Sequence, residues 1–317
     1  MALLENLNYQ TPPFLIGKHL QTIVPAFRKV RDVGYTRERI ETNDGDFLDL
    51  DWLRKDSTKL LILTHGLEGN AQRPYILGMA KHFSKLGWDV LAWNCRSCSG
   101  EMNRLFRLYN HGDIGDLETV VNHATQYKYD EIALVGFSMG GNISLKYASV
   151  ARHPSVSKVI AYSAPLEMRT STAVLNRWDN WVYRYHFQRN LLPKLKEKAR
   201  LFPQKLNYET ILAHIKDWDF QLHTFFCVMN GYPNLEDFYE KGSALNFIPD
   251  IKIPTLIVQA ENDPMLSPQC FPTDLAQKHP FIHLETLKQG GHCGFPMKNN
   301  KEESYAERRA GVFLENL

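Results

Sequence analysis

The sequence predicts an α/β fold, an eight-stranded, mostly parallel sheet with helices on both faces and an inserted helical cap. Three observations lead there. Short apolar runs of strand length alternate with stretches of helical spacing. One such run, Glu131 to Gly136, ends in Gly136-Phe137-Ser138-Met139-Gly140 and passes straight into a helix-compatible segment. Further on, about ninety residues rich in aromatics separate two strand-like runs, far more than an ordinary connection needs.

Taken in order, strands are predicted at Tyr35–Glu41, Phe47–Leu53, Lys59–Thr64, Asp89–Trp93, Glu131–Gly136, Lys158–Ser163, Thr255–Ala260 and Phe281–Leu287. The first two flank Thr42-Asn43-Asp44-Gly45-Asp46, where Asp-Gly signals a hairpin and so places antiparallel strands at one edge. Helices are predicted over Arg73–Leu86, Asp113–Tyr127, Met139–Arg152, Pro268–Lys278 and from Glu302 onward. Residues 166–248 read as the cap, and residues 1–165 with 249–317 as the core. Within the cap, Val174, Trp178, Trp181, Val182 and Tyr185 recur at helical spacing and form one apolar face. Such a cap excludes water and shapes a pocket, which makes Trp178 and Trp181 candidate substrate contacts.

The chemistry centres on Ser138. On a tight strand-to-helix turn a serine hydroxyl is pushed out of the sheet toward a base, with a helix N-terminus behind it. Gly136 and Gly140 flank it because a Cβ at either position would collide with the neighbouring chain. A serine hydroxyl is a weak nucleophile until a base takes its proton and an acid fixes that base in one tautomer. The strand-like run Thr255–Ala260 ends in Glu261-Asn262-Asp263-Pro264, which presents Asp263 as the acid, with Glu261 and Asp250 as fallbacks. The next run leads into Gln289-Gly290-Gly291-His292-Cys293-Gly294, a glycine-flanked loop suited to a general base at His292. His283 lies inside the strand pattern and reads as a packed residue. The oxyanion donors are expected to be the backbone N–H of Met139 and that of Leu67, in the loop His65-Gly66-Leu67-Glu68-Gly69. His65 reads as fixing this loop, and with Gly66 it is a candidate substrate contact.

Composition narrows the function classes. Lys and Arg total 37 against 35 Asp and Glu, a net charge of +2 that implies no polyanionic partner, and no nucleic-acid module is present. Five cysteines, an odd number, argue against a secreted disulfide framework. Cys95 and Cys98 form a Cys-x-x-Cys without a second pair, so no metal site is expected. Cys293 adjoins the proposed base and reads as a small filler residue. Met1 to Gln10 lack the basic and apolar regions of a signal peptide, and no window reaches the ~18 apolar residues that span a bilayer. The chain is therefore expected to be cytoplasmic and to need no cofactor. From Asn176 to Lys205 the cap carries eight cations (Arg177, Arg184, Arg189, Lys194, Lys196, Lys198, Arg200, Lys205) against Asp179 and Glu197. This reads as a solvated helix face, with transient contact to an anionic membrane surface as the sharper alternative.

Several segments together resemble the YheT-like group of α/β-hydrolases. They are Pro12-Pro13-Phe14-Leu15-Ile16-Gly17-Lys18-His19-Leu20-Gln21-Thr22-Ile23-Val24-Pro25, His65-Gly66-Leu67-Glu68-Gly69, Asn94-Cys95-Arg96-Ser97-Cys98-Ser99-Gly100, Arg107-Leu108-Tyr109-Asn110-His111-Gly112 and Gly136-Phe137-Ser138-Met139-Gly140-Gly141-Asn142. The resemblance runs over nearly the whole chain and implies an α/β-hydrolase fold, an N-terminal strap over residues 1–30, and a triad on Ser138, Asp263 and His292. It implies activity on lipid and medium-chain esters. Arg96-Ser97-Cys98 departs from the Arg-Gly-Cys common in relatives. Many eukaryotic relatives carry an N-terminal membrane anchor; this chain begins almost at the His-Leu-Gln-Thr run, so membrane residence does not carry over. The group is also discussed for a His-x4-Asp pattern, matched here by His111 and Asp116. A complete serine set already supplies a base and its orienter, and an acid at Asp113 or Asp116 more simply favours a helix start.

The sequence thus predicts serine-dependent hydrolysis of carboxylic esters, short- to medium-chain or lipid, through an acyl-enzyme. Acyl transfer to an alcohol at the same site and a catalytically silent binding protein are the alternatives.

Overall fold

The structure, a computed structural model, describes residues 8–316; the first seven residues of the expected strap lie outside the described residues. Strands β1 (Thr36–Glu41), β2 (Phe47–Leu53), β3 (Lys59–Thr64), β4 (Asp89–Asn94), β5 (Glu131–Phe137), β6 (Val156–Tyr162), β7 (Thr255–Ala260) and β8 (Ile282–Leu287) form one sheet. Their order is β1-β2-β4-β3-β5-β6-β7-β8. Strand β2 runs antiparallel to both β1 and β4; every other pair is parallel. The hairpin turn uses Gly45 at φ +83°, a conformation that favours glycine.

Alternation along the central strands divides the core in two. Leu60, Ile62, Ile132 and Leu134 face one side, where they meet Leu117, Val121, Ile143 and Tyr147. Leu61, Leu63, Val135 and Phe137 face the other, against Ile76, Met79, Phe83 and Phe313. Continuous apolar strands are what a sheet covered on both faces requires. Helices α1 (Gly17–Ile23), α2 (Pro74–Lys85), α3 (Gly115–Ala124) and α4 (Met139–Val150) precede the long connection. Pro74 opens α2 at a position whose N–H has no helical partner, and Gly87 at φ +83° follows its end. Asp113 accepts from the Gly115 N–H at 3.0 Å, so α3 starts two residues later than predicted.

Between β6 and β7 lie α5 (Met168–Leu175), α6 (Trp181–Leu201), α7 (Tyr208–Ala213), α8 (Trp218–His223) and α9 (Leu235–Gly242). Leu191, Leu195, Ile211, Leu222, Phe225 and Phe238 from this segment belong to the same apolar cluster as one face of the sheet. The predicted apolar stripe through Trp178, Trp181 and Tyr185 is not the buried face. Those residues are 84%, 61% and 58% exposed, and a 3-10 turn at Trp178–Asn180 breaks the helix that would have aligned them. Tyr183, Leu191, Leu195 and Ala199 pack inward instead.

The basic stretch also differs from its linear reading. Lys198 is buried, its Nζ donating to the Asn103 carbonyl at 2.8 Å and to that of Leu105, and Lys194 pairs with Glu68 at 2.8 Å. Arg177 and Arg200 pair with Asp179 and Glu197. Among the described residues no helix is long and apolar enough to cross a membrane.

Two C-terminal elements differ from prediction. The segment 268–278 is split into a 3-10 turn, Pro268–Cys270, and helix α10, Thr273–Lys278, because Pro272 holds Phe271 out of the helical region at φ −117° and ψ 73°. The last helix, α11 (Tyr305–Asn316), begins after Glu302 because Asn300–Ser304 forms strand β10 against β9, Pro296–Met297. Ser304 and Glu307 set its start: the Ser304 N–H and Oγ–H both donate to the Glu307 carboxylate, at 3.2 and 3.0 Å.

The loop after β4 is anchored by Arg96, whose buried guanidinium bonds to Asp46 at 2.8 Å and to Asp116 at 2.7 Å. Removing it takes the buried cation from two buried carboxylates, leaving Asp46 with neutral donors and Asp116 with Arg107 alone. Arg96→Leu is expected to cost about 3–5 kcal/mol, read as a lowered urea midpoint.

Candidate active site

The nucleophile turn is built by close backbone approach. Strand β5 ends at Phe137, Ser138 takes φ +54° and ψ −119°, and α4 starts at Met139. Ser138 donates its N–H to the Tyr162 carbonyl at 2.8 Å, which ties the turn to β6. A Cβ on Gly136 would lie 2.2 Å from the Gly140 carbonyl oxygen, and one on Gly140 would lie 2.2 Å from that of Thr64. No side chain could move aside, since both obstacles are backbone.

Ser138, Asp263 and His292 converge. His292 Nε2 is 2.9 Å from Ser138 Oγ and its Nδ1 is 2.8 Å from Asp263 Oδ2. The second Asp263 oxygen accepts from the Met265 N–H at 2.8 Å. Acceptance by the carboxylate puts the proton on Nδ1 and leaves Nε2 free to take the serine proton. Burial pushes the His292 imidazole down, but the adjacent Asp263 carboxylate, with Cys293 beside it, outweighs that and holds its pKa well above 6.5. Of the fallback acids, Glu261 is exposed and Asp250 sits in a 3-10 turn far along the chain from the base loop. His283 is half-buried in β8 against Phe313.

The loop after β3 lies beside the serine: a Cβ on Gly66 would be 3.1 Å from Ser138 Cβ. Among the described residues the Leu67 and Met139 amides have no hydrogen-bond partner, whereas Gly66 donates to Tyr75 Oη and Glu68 to Tyr109 Oη. His65 is fully buried, so its candidate role as a substrate contact is corrected. Its Nδ1 donates to the Gly66 carbonyl at 2.7 Å and its Nε2 accepts from the Cys95 N–H at 3.1 Å. Burial lowers its pKa to about 4, which keeps this loop-fixing histidine neutral.

A channel of about 400 Å³ opens on Ser138 and His292. Its walls come from the N-terminal segment (Ile23, Pro25, Phe27), from Gly66 and Leu67, and from Val182, Tyr183 and Phe187 of α6. Trp178 and Trp181 do not line it; their neighbours Val182, Tyr183 and Phe187 do. A second, smaller cavity of about 70 Å³ reaches the same serine between Met168, Leu175, Leu222 and Phe226 of the segment linking β6 and β7. A shallow depression of about 730 Å³ beside Trp52 and Arg54 shares no lining residue with either.

His111 and Asp116 do not pair. Arg96 and Arg107 occupy the Asp116 carboxylate, while His111 is buried against Phe226 and Phe238, and burial pushes its pKa down to about 3. Cys95 and Cys98 are free, buried thiols, and among the described residues no group of three or more His, Cys, Asp or Glu could hold a metal ion. Sequence reading passed over Asn142, whose buried side chain donates to the His111 carbonyl at 2.9 Å and to that of Gly242 and accepts from the Ala244 N–H at 2.9 Å. Its place one turn into α4 is the available signal.

A serine on a strand-to-helix elbow, a histidine and an acid at the carboxyl ends of neighbouring parallel strands, and an open loop beside them define an α/β hydrolase. Residues 59–297 match the family described as alpha/beta hydrolase fold, and the chain belongs to it. It is similar to the YheT protein of Escherichia coli K12, 28% identical over 289 residues that cover 87% of this chain and 84% of that one. Phospholipase ABHD3 of Mus musculus is 27% identical over 290 residues, 87% of this chain and 70% of the relative. Among solved structures, the esterase Pf2001 of Pyrococcus furiosus shares the fold at a TM-score of 0.61 and 18% identity, covering 99% of both chains.

Gly140→Ala is expected to leave little folded protein or, where it folds, to cost more than about 3 kcal/mol, because the elbow must move off β3. Denaturant midpoints against wild type check this.

Proposed function

We propose that the protein hydrolyses carboxylic esters with apolar acyl chains, using Ser138 as nucleophile, His292 as base and Asp263 as its orienter. The observation that carries this reading is the unbroken line from Asp263 through His292 to the Ser138 hydroxyl, at 2.8 and 2.9 Å, opening on an apolar channel. The names of the relatives, a phospholipase among them and a monoacylglycerol lipase of Saccharomyces cerevisiae at 24% identity, support ester chemistry in general terms.

In the first step Ser138 Oγ attacks the ester carbonyl while its proton passes to His292 Nε2. The carbonyl oxygen becomes an anion received by the Leu67 and Met139 amides, each worth about 3 kcal/mol in such a site. Collapse of this intermediate breaks the bond to the alcohol oxygen, which leaves with the proton from Nε2. Water then gives its proton to His292 and attacks the acyl-serine, and the acid departs as the serine regains its proton. The Asp263 carboxylate stabilises the imidazolium formed in each half-reaction. The two cavities that meet at Ser138 give an ester two unequal apolar arms to fill.

Ser138→Ala is expected to abolish hydrolysis of p-nitrophenyl esters and labelling by a fluorophosphonate while the circular dichroism spectrum stays native; retained turnover would sink the assignment. Only neutral His292 can act as base, and its pKa lies above 6.5. The kcat/KM profile should therefore lose activity as pH falls through a midpoint above that value. Asp263→Asn should lower kcat by about four orders of magnitude, since the tautomer is no longer fixed.

A further inference from the structure

Helix α1 carries the His19-Leu20-Gln21-Thr22 run, and Gln21 is only 1% exposed. Its side-chain amide reaches two catalytic loops at once. The carbonyl oxygen accepts from Asn262 Nδ2 at 2.8 Å, next to Asp263, and from the Gly290 N–H at 3.0 Å, two residues before His292. The amide nitrogen donates to the Leu15 carbonyl at 2.9 Å and to Gln289 Oε1 at 3.2 Å. Its orientation follows from the partners: a backbone N–H requires the oxygen and a backbone carbonyl requires the nitrogen. All four hydrogen-bonding positions of the amide are thereby used.

Thr22 completes the attachment. Its Oγ1 accepts the His292 N–H at 2.9 Å and donates to the Lys18 carbonyl at 2.7 Å. The loop's backbone comes close enough for these bonds only because Gly291 has no side chain. A Cβ there would lie 2.6 to 2.8 Å from the Gln21 carbonyl and the Thr22 nitrogen, and Gly291 itself is at φ +64°. On the opposite side, α1 meets the cap through Lys18 and Asp179 at 2.7 Å and through His19 Nδ1 and Tyr183 Oη at 3.0 Å.

We infer that Gln21 and Thr22 are positioning residues that hold the acid loop and the base loop in register, so that one imidazole faces Asp263 and Ser138 together. The inference rests on the reading of Ser138, His292 and Asp263 given above. Neither residue touches the reacting atoms; both act through the backbone of residues 290–292 and the side chain of Asn262. A peripheral strap would bond to the core's surface. Here a buried amide with every position filled joins two loops that must align to within a fraction of an ångström.

The test compares wild type with Thr22→Val, which keeps the shape and loses the acceptor, Thr22→Ser, which keeps both, and Gln21→Met. Thr22→Val and Gln21→Met are expected to lower kcat about ten- to a hundredfold with KM within about threefold, while Thr22→Ser stays near wild type. The acid limb of the two impaired variants should fall toward 6.5 as the Asp263–His292 contact loosens. The low-field Nδ1 proton of His292, read by NMR, should weaken in both and persist in Thr22→Ser. Folded variants with unchanged kcat, pH profile and proton resonance would overturn the inference. Should Gln21→Met not fold, the Thr22 pair alone decides. Absence of ester hydrolysis in wild type would instead reject the proposed function, and the proton resonance would still decide whether α1 aligns the loops.

Discussion

A non-glycine residue held at φ +54° between a strand and a helix costs roughly 1–3 kcal/mol. The surroundings of Ser138 are arranged so that this conformation has no alternative. Phe137 is locked into the sheet, stacked on Tyr162 with ring centroids 5.1 Å apart, and the next residue already begins a helix. Gly136 and Gly140 let β5, α4 and β3 pack backbone on backbone at this point. Relaxing the serine would pull all three apart, so the strain is carried by the whole central sheet. The pre-set angle aims the hydroxyl at His292 and leaves the first helical N–H open beside it.

Asp263 and His292 reach the same point by a different route. They follow β7 and β8, neighbouring parallel strands whose carboxyl ends share one edge with β5. Strand ends place loops, but they do not fix them to the accuracy a proton relay needs. That accuracy comes from hydrogen bonds outside the sheet: Met265 on Asp263, Ser163 on Cys293, and the α1 contacts on residues 290–292. Helix α6 is held to the rest of the chain by cations, the half-buried Lys194 on Glu68 and the buried Lys198 on backbone carbonyls.

Whatever depends on local pattern could be read from the sequence. Eight strands, the hairpin and the Ser138 elbow are set by apolar runs and turn residues within a few positions of one another. The order Ser138, Asp263, His292 follows from strand ends, and the structure brings those three side chains together. The faces of α6 could not be read this way, because Trp178 and Trp181 look like anchors until the turn at Trp178–Asn180 and the packing of the segment between β6 and β7 decide which side is wet. Lys194 and Lys198 look like surface charges for the same reason: their partners, Glu68, Asn103 and Leu105, lie 93 or more positions away and meet them only in the folded chain. The start of α11 was legible and missed, since Ser304 and Glu307 carry the spacing of a capping box. The role of Gln21 lay beyond reach, its partners being 241 and 269 positions away.

Those separations bear on how the molecule is made. Helix α1 leaves the ribosome well before the sheet is complete, yet the loop groups that bond to Gln21 and Thr22, on Asn262, Gly290 and His292, lie 241, 269 and 270 positions further along the chain. A nascent chain can build the hairpin and the central strands while its amide at position 21 waits in water. The arrangement around Ser138 is consequently a late product of folding, sealed by contacts that span most of the sequence, and a half-made chain carries a serine without its histidine partner.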